Sequence, residues 1–181
     1  MIHIFDELID SDYQKLIKET LFSNTYPWFF IEDITNSDGS EQKRSAFTHL
    51  LVKERNQNSE YHNLFVKMIQ YCCAQIGKTN VDVLAGRSFL QLPLNLKDHM
   101  VDTAHIDSIK KHFVMLYYVC DSDGDTIIYN EREKDRPDGI YTIKERVTPK
   151  QGRVVLFDGW LMHTAEQPIN NVRCIVNYNL D

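Results

Sequence analysis

The rhythm of apolar and polar positions changes once along the chain, near residue 80. Before that point, two stretches repeat with the period of a helix. In residues 8–22 the apolar positions Leu8, Ile9, Leu16, Ile17 and Leu21 form one stripe, with Asp10, Ser11 and Asp12 available to cap its start. In residues 60–76 the stripe is Tyr61, Leu64, Phe65, Met68, Ile69, Cys72, Cys73 and Ile76, and Gly77 supplies a C-terminal stop. The intervening 24–59 segment is polar and aperiodic except at 26–31 and 47–52, which read as short strands on either side of a turn at Asn36-Ser-Asp-Gly39.

Beyond Thr79 the texture becomes short β-branched and aromatic runs separated by turn residues, at 81–92, 113–120, 126–131, 140–147, 153–158, 161–165 and 172–180. Runs spaced in this way predict a mainly β fold with N-terminal helices: a barrel or double-sheet jelly roll of the cupin-like kind, with the helices packed outside one sheet. A length of 181 residues suits a single domain. Residues 1–80 are expected to form its helical support region and residues 81–181 its β-barrel core.

Composition narrows the function classes without altering this picture. A formal net charge of −6 disfavours non-specific binding to nucleic acid or anionic lipid, because both require a basic face. Soluble protein, peptide or small-molecule substrates fit better. The four cysteines, at 72, 73, 120 and 174, form no CxxC pair, and the adjacent Cys72 and Cys73 cannot readily bridge each other, so reduced thiols are expected. With no basic-then-apolar leader at the N-terminus and no apolar run long enough to span a bilayer, the expectation is a cytoplasmic protein.

The chemistry concentrates at Ala104-His105-Ile106-Asp107-Ser108, which holds the chain's one HxD. On an extended backbone, side chains repeat every second residue, so His105 and Asp107 would share a face. Two imidazoles and a carboxylate form the facial triad that leaves open positions on a non-haem iron. His163, in a short predicted strand after the turn at Asp158-Gly-Trp, is the candidate for the second imidazole. Arg173 opens the last predicted strand, and a guanidinium there can pair bidentately with a carboxylate.

From about residue 86 to 180 this pattern resembles the prolyl-hydroxylase-like branch of the Fe(II)/2-oxoglutarate oxygenases, in which HxD, a distal His and a basic residue opening the final strand follow in that order. The resemblance implies a double-stranded β-helix and a hydroxylase that uses Fe(II), 2-oxoglutarate and dioxygen, with ascorbate as a candidate accessory reductant. It implies iron ligation by His105, Asp107 and His163, and a grip on the distal carboxylate of 2-oxoglutarate by Arg173. Tyr118 in Val114-Met-Leu-Tyr-Tyr118-Val matches the tyrosine that often shares that carboxylate, better than Tyr117 does. The substrate it suggests is a peptidyl prolyl or another amino-acid residue. The segment from Gln91 to Ala104 departs from the family's glycine- and tyrosine-rich approach to HxD, so no substrate residues carry over.

Two other readings compete: a cupin-type barrel holding a different metal, and a jelly-roll binding module with no metal. Arg173 argues against the first, and the second leaves the triad a coincidence. Asp121-Ser-Asp-Gly-Asp-Thr looks calcium-like, but Thr126 and Arg132 stand where an EF-hand loop needs Gly and Glu. Gly77-Lys78-Thr79 lacks the first glycine of a phosphate loop and follows a helix instead of opening one. His3, His49, His62, His99 and His112 have no partnered spacing. Of these, only His112 shares strand parity with Val114, Leu116 and Tyr118 and could line the barrel mouth.

Overall fold

The computed structural model describes residues 1–34, 43–94, 101–132 and 140–181. Its elements in chain order are β1 (Ile2–Phe5), α1 (Ser11–Leu21), β2 (Phe29–Ile31), β3 (Ala46–Lys53), β4 (Asn56–Gln57), a 3-10 turn (Glu60–Leu64) and α2 (Val66–Ala74). Seven strands follow: β5 (Val83–Gln91), β6 (Phe113–Tyr118), β7 (Thr126–Arg132), β8 (Ile143–Val147), β9 (Val154–Asp158), β10 (Leu161–Ala165) and β11 (Arg173–Leu180).

The strands form two antiparallel sheets. The major sheet runs β1-β9-β6-β11-β5-β3-β2, with β4 beside β3, and the minor sheet runs β10-β7-β8. Bridges from Val101 to Glu166 and from His105 to His163 add the 101–105 segment to the open edge of β10. The two sheets close over a shared core: Val114, Leu116 and Tyr118 of β6, Val155 and Phe157 of β9 and Ile175 of β11 meet Ile128, Val147 and Leu161 of the minor sheet. This is the double-sheet jelly roll that the run spacing predicted and the double-stranded β-helix that the resemblance implied.

A second cluster lies on the other face of the major sheet. Met115, Tyr117, Leu156, Cys174, Val176 and Tyr178 point outward there and pack against Ile17 and Leu21 of α1 and Met68, Ile69 and Cys72 of α2. Period two on the strands and 3.6 on the helices therefore meet at one interface. Asp10 caps α1 by accepting from Tyr13 N at 2.8 Å. Gly77, at φ +72, ends α2 with Lys78 N donating to Cys73 O at 3.0 Å, the reach-back bond of a left-handed C-terminal cap. All four cysteines are free and buried.

Several expectations need correction. Residues 1–80 are not only helical support, because β1, β2, β3 and β4 come from them and extend the major sheet. Leu16 is exposed, and Tyr13 takes its place by packing its ring on the core and donating its hydroxyl to Leu64 O. The second helix is broken at Phe65 into a 3-10 turn and α2. The turn at 36–39 and His99 lie outside the described residues. Among the described residues, no helix is long and apolar enough to cross a membrane.

Candidate functional site

The two histidines of the cluster are brought together by the backbone itself. His105 N donates to His163 O at 3.0 Å and His163 N to His105 O at 2.9 Å, so the residues are a directly opposed antiparallel pair. Their ring centroids lie 4.7 Å apart. Asp107 reaches the cluster differently from the expectation of a continuous strand. Only His105 pairs with β10, and Asp107 sits in a bend two residues on. Its carboxylate is turned toward the major sheet, where Asn177 Nδ2 of β11 donates to Oδ2 at 3.1 Å. Oδ1 stays on the histidine side, 3.7 Å from His105 Nε2 and 4.0 Å from His163 Nε2.

These three side chains are the group of potential metal ligands that the described residues contain, with one donor atom from each within 4.8 Å of the others. Three donors about 2.1 Å from one ion stand roughly 3 to 3.6 Å apart, so modest side-chain rotation would bring them around a common point. The tautomers suit that role. His105 Nδ1 lies 3.0 Å from Thr103 O and His163 Nδ1 lies 3.1 Å from Leu161 O. A carbonyl only accepts, so each ring carries a proton on Nδ1, which leaves Nε2 as the nitrogen that can face a metal. Burial lowers the His163 pKa to about 4, which keeps the ring neutral near neutral pH. Burial disfavours the Asp107 carboxylate, but His163, Arg87 and the Asn177 hydrogen bond outweigh it and hold its pKa below the ordinary value.

Arg173 lies at the closed end of a cavity of about 300 Å³ that His105 and His163 also line. It is 2% exposed, and three of its five N–H donors are committed: Nε to Gly124 O at 2.9 Å, Nη1 to Gln91 Oε1 at 3.0 Å and Nη2 to Thr126 Oγ1 at 2.7 Å. One N–H on each terminal nitrogen remains, the arrangement that meets a carboxylate two-pronged. Burial pulls its pKa down, while Tyr118 and Asp102 oppose that shift. The glycine in Asp123-Gly-Asp allows the approach: a Cβ at Gly124 would stand 2.6 Å from Glu166 O and 3.1 Å from Arg173 Cδ.

Tyr118 stands one step behind the cavity. It is fully buried, its hydroxyl donates to Thr126 Oγ1 at 2.7 Å, and it is absent from the cavity wall that Thr126 lines. Thr126 Oγ1 thus accepts from both Tyr118 and Arg173, which occupies both lone pairs and leaves its own proton free to donate into the cavity. Tyr118 therefore reaches the cavity wall only through Thr126.

Sequence reasoning missed Thr126, Gln91, Asp102 and Asn177. Asp102 is a hub: its carboxylate takes Arg44 Nη1 at 3.1 Å, Gln91 Nε2 at 3.1 Å and Gln167 Nε2 at 2.9 Å. Gln91 then passes its amide oxygen to Arg173, so one chain of bonds ties the guanidinium to the segment leading to His105. The available signal was parity. Gln91 shares the phase of Arg87 and Phe89 on β5, and Asn177 repeats the phase of Arg173 on β11.

Other sequence expectations settle structurally. Asp121, Asp123 and Asp125 turn to separate partners, namely Gln151 N, the backbone N–H groups of Ile169, Asn170 and Asn171, and Arg146. His49 is satisfied by Pro27 O and Ser59 Oγ. His112 is buried against Gly159 and does not line the cavity, contrary to its parity.

The double-stranded β-helix thus carries a His-Asp-His cluster, and a buried arginine stands on the wall of the cavity that the two histidines line. Solved structures bear out the fold. A 2OG-Fe(II) oxygenase-family oxidoreductase from Burkholderia pseudomallei superposes with a TM-score of 0.70 at 10% identity, over 99% of this chain and 84% of that one. The non-haem alpha-ketoglutarate-dependent carbocyclase SnoK from nogalamycin biosynthesis gives 0.68 at 11% identity, over 99% and 78%. The viral collagen prolyl hydroxylase of Paramecium bursaria Chlorella virus-1 gives 0.59 at 9% identity, over 99% and 94%. No protein-family model matches the chain, and neither does any curated protein sequence. Near-complete coverage at a tenth identity is a likeness of fold.

Proposed function

We propose that the protein is an Fe(II)- and 2-oxoglutarate-dependent dioxygenase that hydroxylates a C–H bond of an amino-acid-based substrate. One observation carries the reading: the two histidines of a His-Asp-His cluster line one cavity with a buried guanidinium that has two N–H donors to spare. A generic metal barrel has no use for a buried guanidinium with two N–H donors left over, whereas the distal carboxylate of 2-oxoglutarate takes both.

The donor set fits Fe(II). His105, Asp107 and His163 would hold the metal, and bound Fe(II) supplies the activation of dioxygen by which one oxygen atom enters succinate and the other the product hydroxyl, with release of carbon dioxide. Arg173 and the Thr126 hydroxyl bind the distal carboxylate, and Tyr118 fixes which way that hydroxyl points. Gln91 and Asp102 orient the guanidinium. Asn177 occupies Oδ2 of Asp107, which leaves Oδ1 for the metal side. Leu116 and Ile175 provide an apolar wall along the cavity and limit the entry of water. Prolyl hydroxylases among the fold neighbours support an amino-acid substrate, while SnoK is a carbocyclase on the same fold.

The test is spectroscopic. Anaerobic protein loaded with Fe(II) is expected to develop a visible charge-transfer band on addition of 2-oxoglutarate, and to form succinate once oxygen is admitted. A protein that binds Fe(II) but shows no band overturns the reading in favour of a metal-binding barrel with other chemistry.

A further inference from the structure

Beside the cavity that holds Arg173, a second, open groove runs outward from Asp107 along the inner face of β5 and β11, past Ala85, Arg87, Asn177 and Asn179, with Leu50 on its far side. Arg87 and Asn177 line both spaces and are direct cross-strand partners. A molecule lying in the groove therefore meets these two side chains at the threshold of the metal cluster.

Three features of the groove are chemically specific. The Arg87 guanidinium forms no hydrogen bond or ion pair with any described residue, and lies over the Phe89 ring at 5.5 Å, a support that holds a cation without consuming its donors. Arg87 and Asp107 line the same groove. The amide oxygens of Asn177 and Asn179, both buried, accept no hydrogen bond among the described residues. Buried acceptors without a donor are rare in folded proteins, and because both side chains line the groove, a small shift of either would bring its oxygen to a ligand there. Asn177 cannot simply turn over, because its Nδ2 is held by Asp107.

From these features we infer that the substrate is a small acid whose free carboxylate pairs with Arg87, and whose adjacent N–H or O–H groups donate to Asn177 and Asn179: an α-amino acid or an α-hydroxy acid. The inference deepens the oxygenase reading and rests on it. Anchored in this way, the substrate directs the carbons beyond its carboxylate toward the Asp107 end of the groove. A residue inside a polypeptide has no carboxylate for Arg87, so the expectation of a peptidyl substrate gives way to a free acid.

The experiment measures 2-oxoglutarate-dependent succinate formation by the Fe(II)-loaded protein with the twenty free L-amino acids, their carboxamides, a matching set of α-hydroxy acids, and peptides blocked at both ends. Calorimetric titration of each stimulating acid gives its affinity independently of turnover. At least one free acid is expected to stimulate, its carboxamide to bind about tenfold or more weakly, and Arg87→Gln to remove that preference while Arg87→Lys retains part of it. Comparing the amino and hydroxy arms identifies the donor that the asparagines receive. Stimulation by blocked peptides alone, equal binding of acid and amide, no response to any acid, or a preference that survives Arg87→Gln would each overturn the inference. The wild-type charge-transfer band is read without substrate: a band with no responding acid overturns this inference alone, whereas no band overturns the oxygenase reading beneath it.

Discussion

The two faces of β11 divide the labour of the molecule. Cys174, Val176, Tyr178 and Leu180 point outward into the cluster that the helices cover. Arg173, Ile175 and Asn177 point inward to the cavity, and Asn179 to the groove beside it. The outward set is apolar or aromatic, with the Tyr178 hydroxyl at hydrogen-bonding distance from His62 Nδ1 at 2.9 Å. The inward set contains a fully buried cation and amides with spare hydrogen-bonding capacity. Stability accumulates on one face and chemistry on the other, and the same eight backbone positions hold both in register. Outward changes should therefore alter folding with little effect on the site, and inward changes should do the reverse.

The largest effect expected on the inward side comes from the cluster that β11 helps to position. His105→Ala or Asp107→Ala removes one of three donors, and iron-dependent succinate formation should fall below detection while the thermal unfolding midpoint changes little. Activity retained in both variants would break the assignment of the triad. The outward counterpart is Leu180→Ala at a fully buried position, for which cavity formation predicts a loss of roughly 2–5 kcal/mol in chemical denaturation. Its folded fraction should bind Fe(II) and 2-oxoglutarate with wild-type affinity. A weakened site in that folded fraction would mean that the two faces are coupled.

This division was partly legible before the structure. The alternation of Arg173 to Leu180 and the helical stripes at Ile17, Leu21, Met68 and Cys72 are periodic signals, and the elements appeared where the periods placed them. What escaped had no period to show. β1 is four residues long, and β4 follows a hairpin whose central residues, Glu54 and Arg55, have φ values of 50° and 68° without a glycine to announce them. Within the site, HxD and the residues that follow it were visible because their types and order are unusual. Thr126, Gln91 and Asp102 were not, since their roles depend on hydrogen bonds across strands remote in sequence. Tyr118 was singled out by resemblance, and nothing in the sequence could show that Thr126 stands between its hydroxyl and the cavity.

Two inward changes of graded size sharpen the contrast at the deep end of the cavity. Arg173→Ala removes both free N–H donors, and the 2-oxoglutarate concentration for half-maximal succinate formation should rise about 100-fold, on the basis of roughly 1.5–3 kcal/mol for a hydrogen bond to a charged group. Iron affinity should stay near wild type. Thr126→Val keeps the shape and deletes one hydroxyl, so the same measurement should show a rise of about tenfold. Equal effects from the two variants would mean that Thr126 serves mainly to hold Arg173, and that its own proton is not used on the ligand.

The effect confined to the metal cluster falls on Asn177, where the inward face meets Asp107. Its Nδ2 donates to Oδ2 of the carboxylate, so Asn177→Ala frees the carboxylate to rotate without removing a metal donor. Partners of this kind typically contribute 10- to 100-fold in metal affinity, and Fe(II) binding should weaken by about that factor, measured by anaerobic titration. Asn177→Asp should weaken it further than alanine does, because it sets a second negative charge against Asp107 in a buried setting. Val176→Ala, on the neighbouring position but the opposite face, is the matched control: it should lower stability and leave the Fe(II) titration unchanged. If Asn177→Ala leaves iron affinity at the wild-type value, the orientation of Asp107 is set by the 105–107 backbone alone, and the inward face of β11 contributes to cosubstrate binding without contributing to the metal cluster.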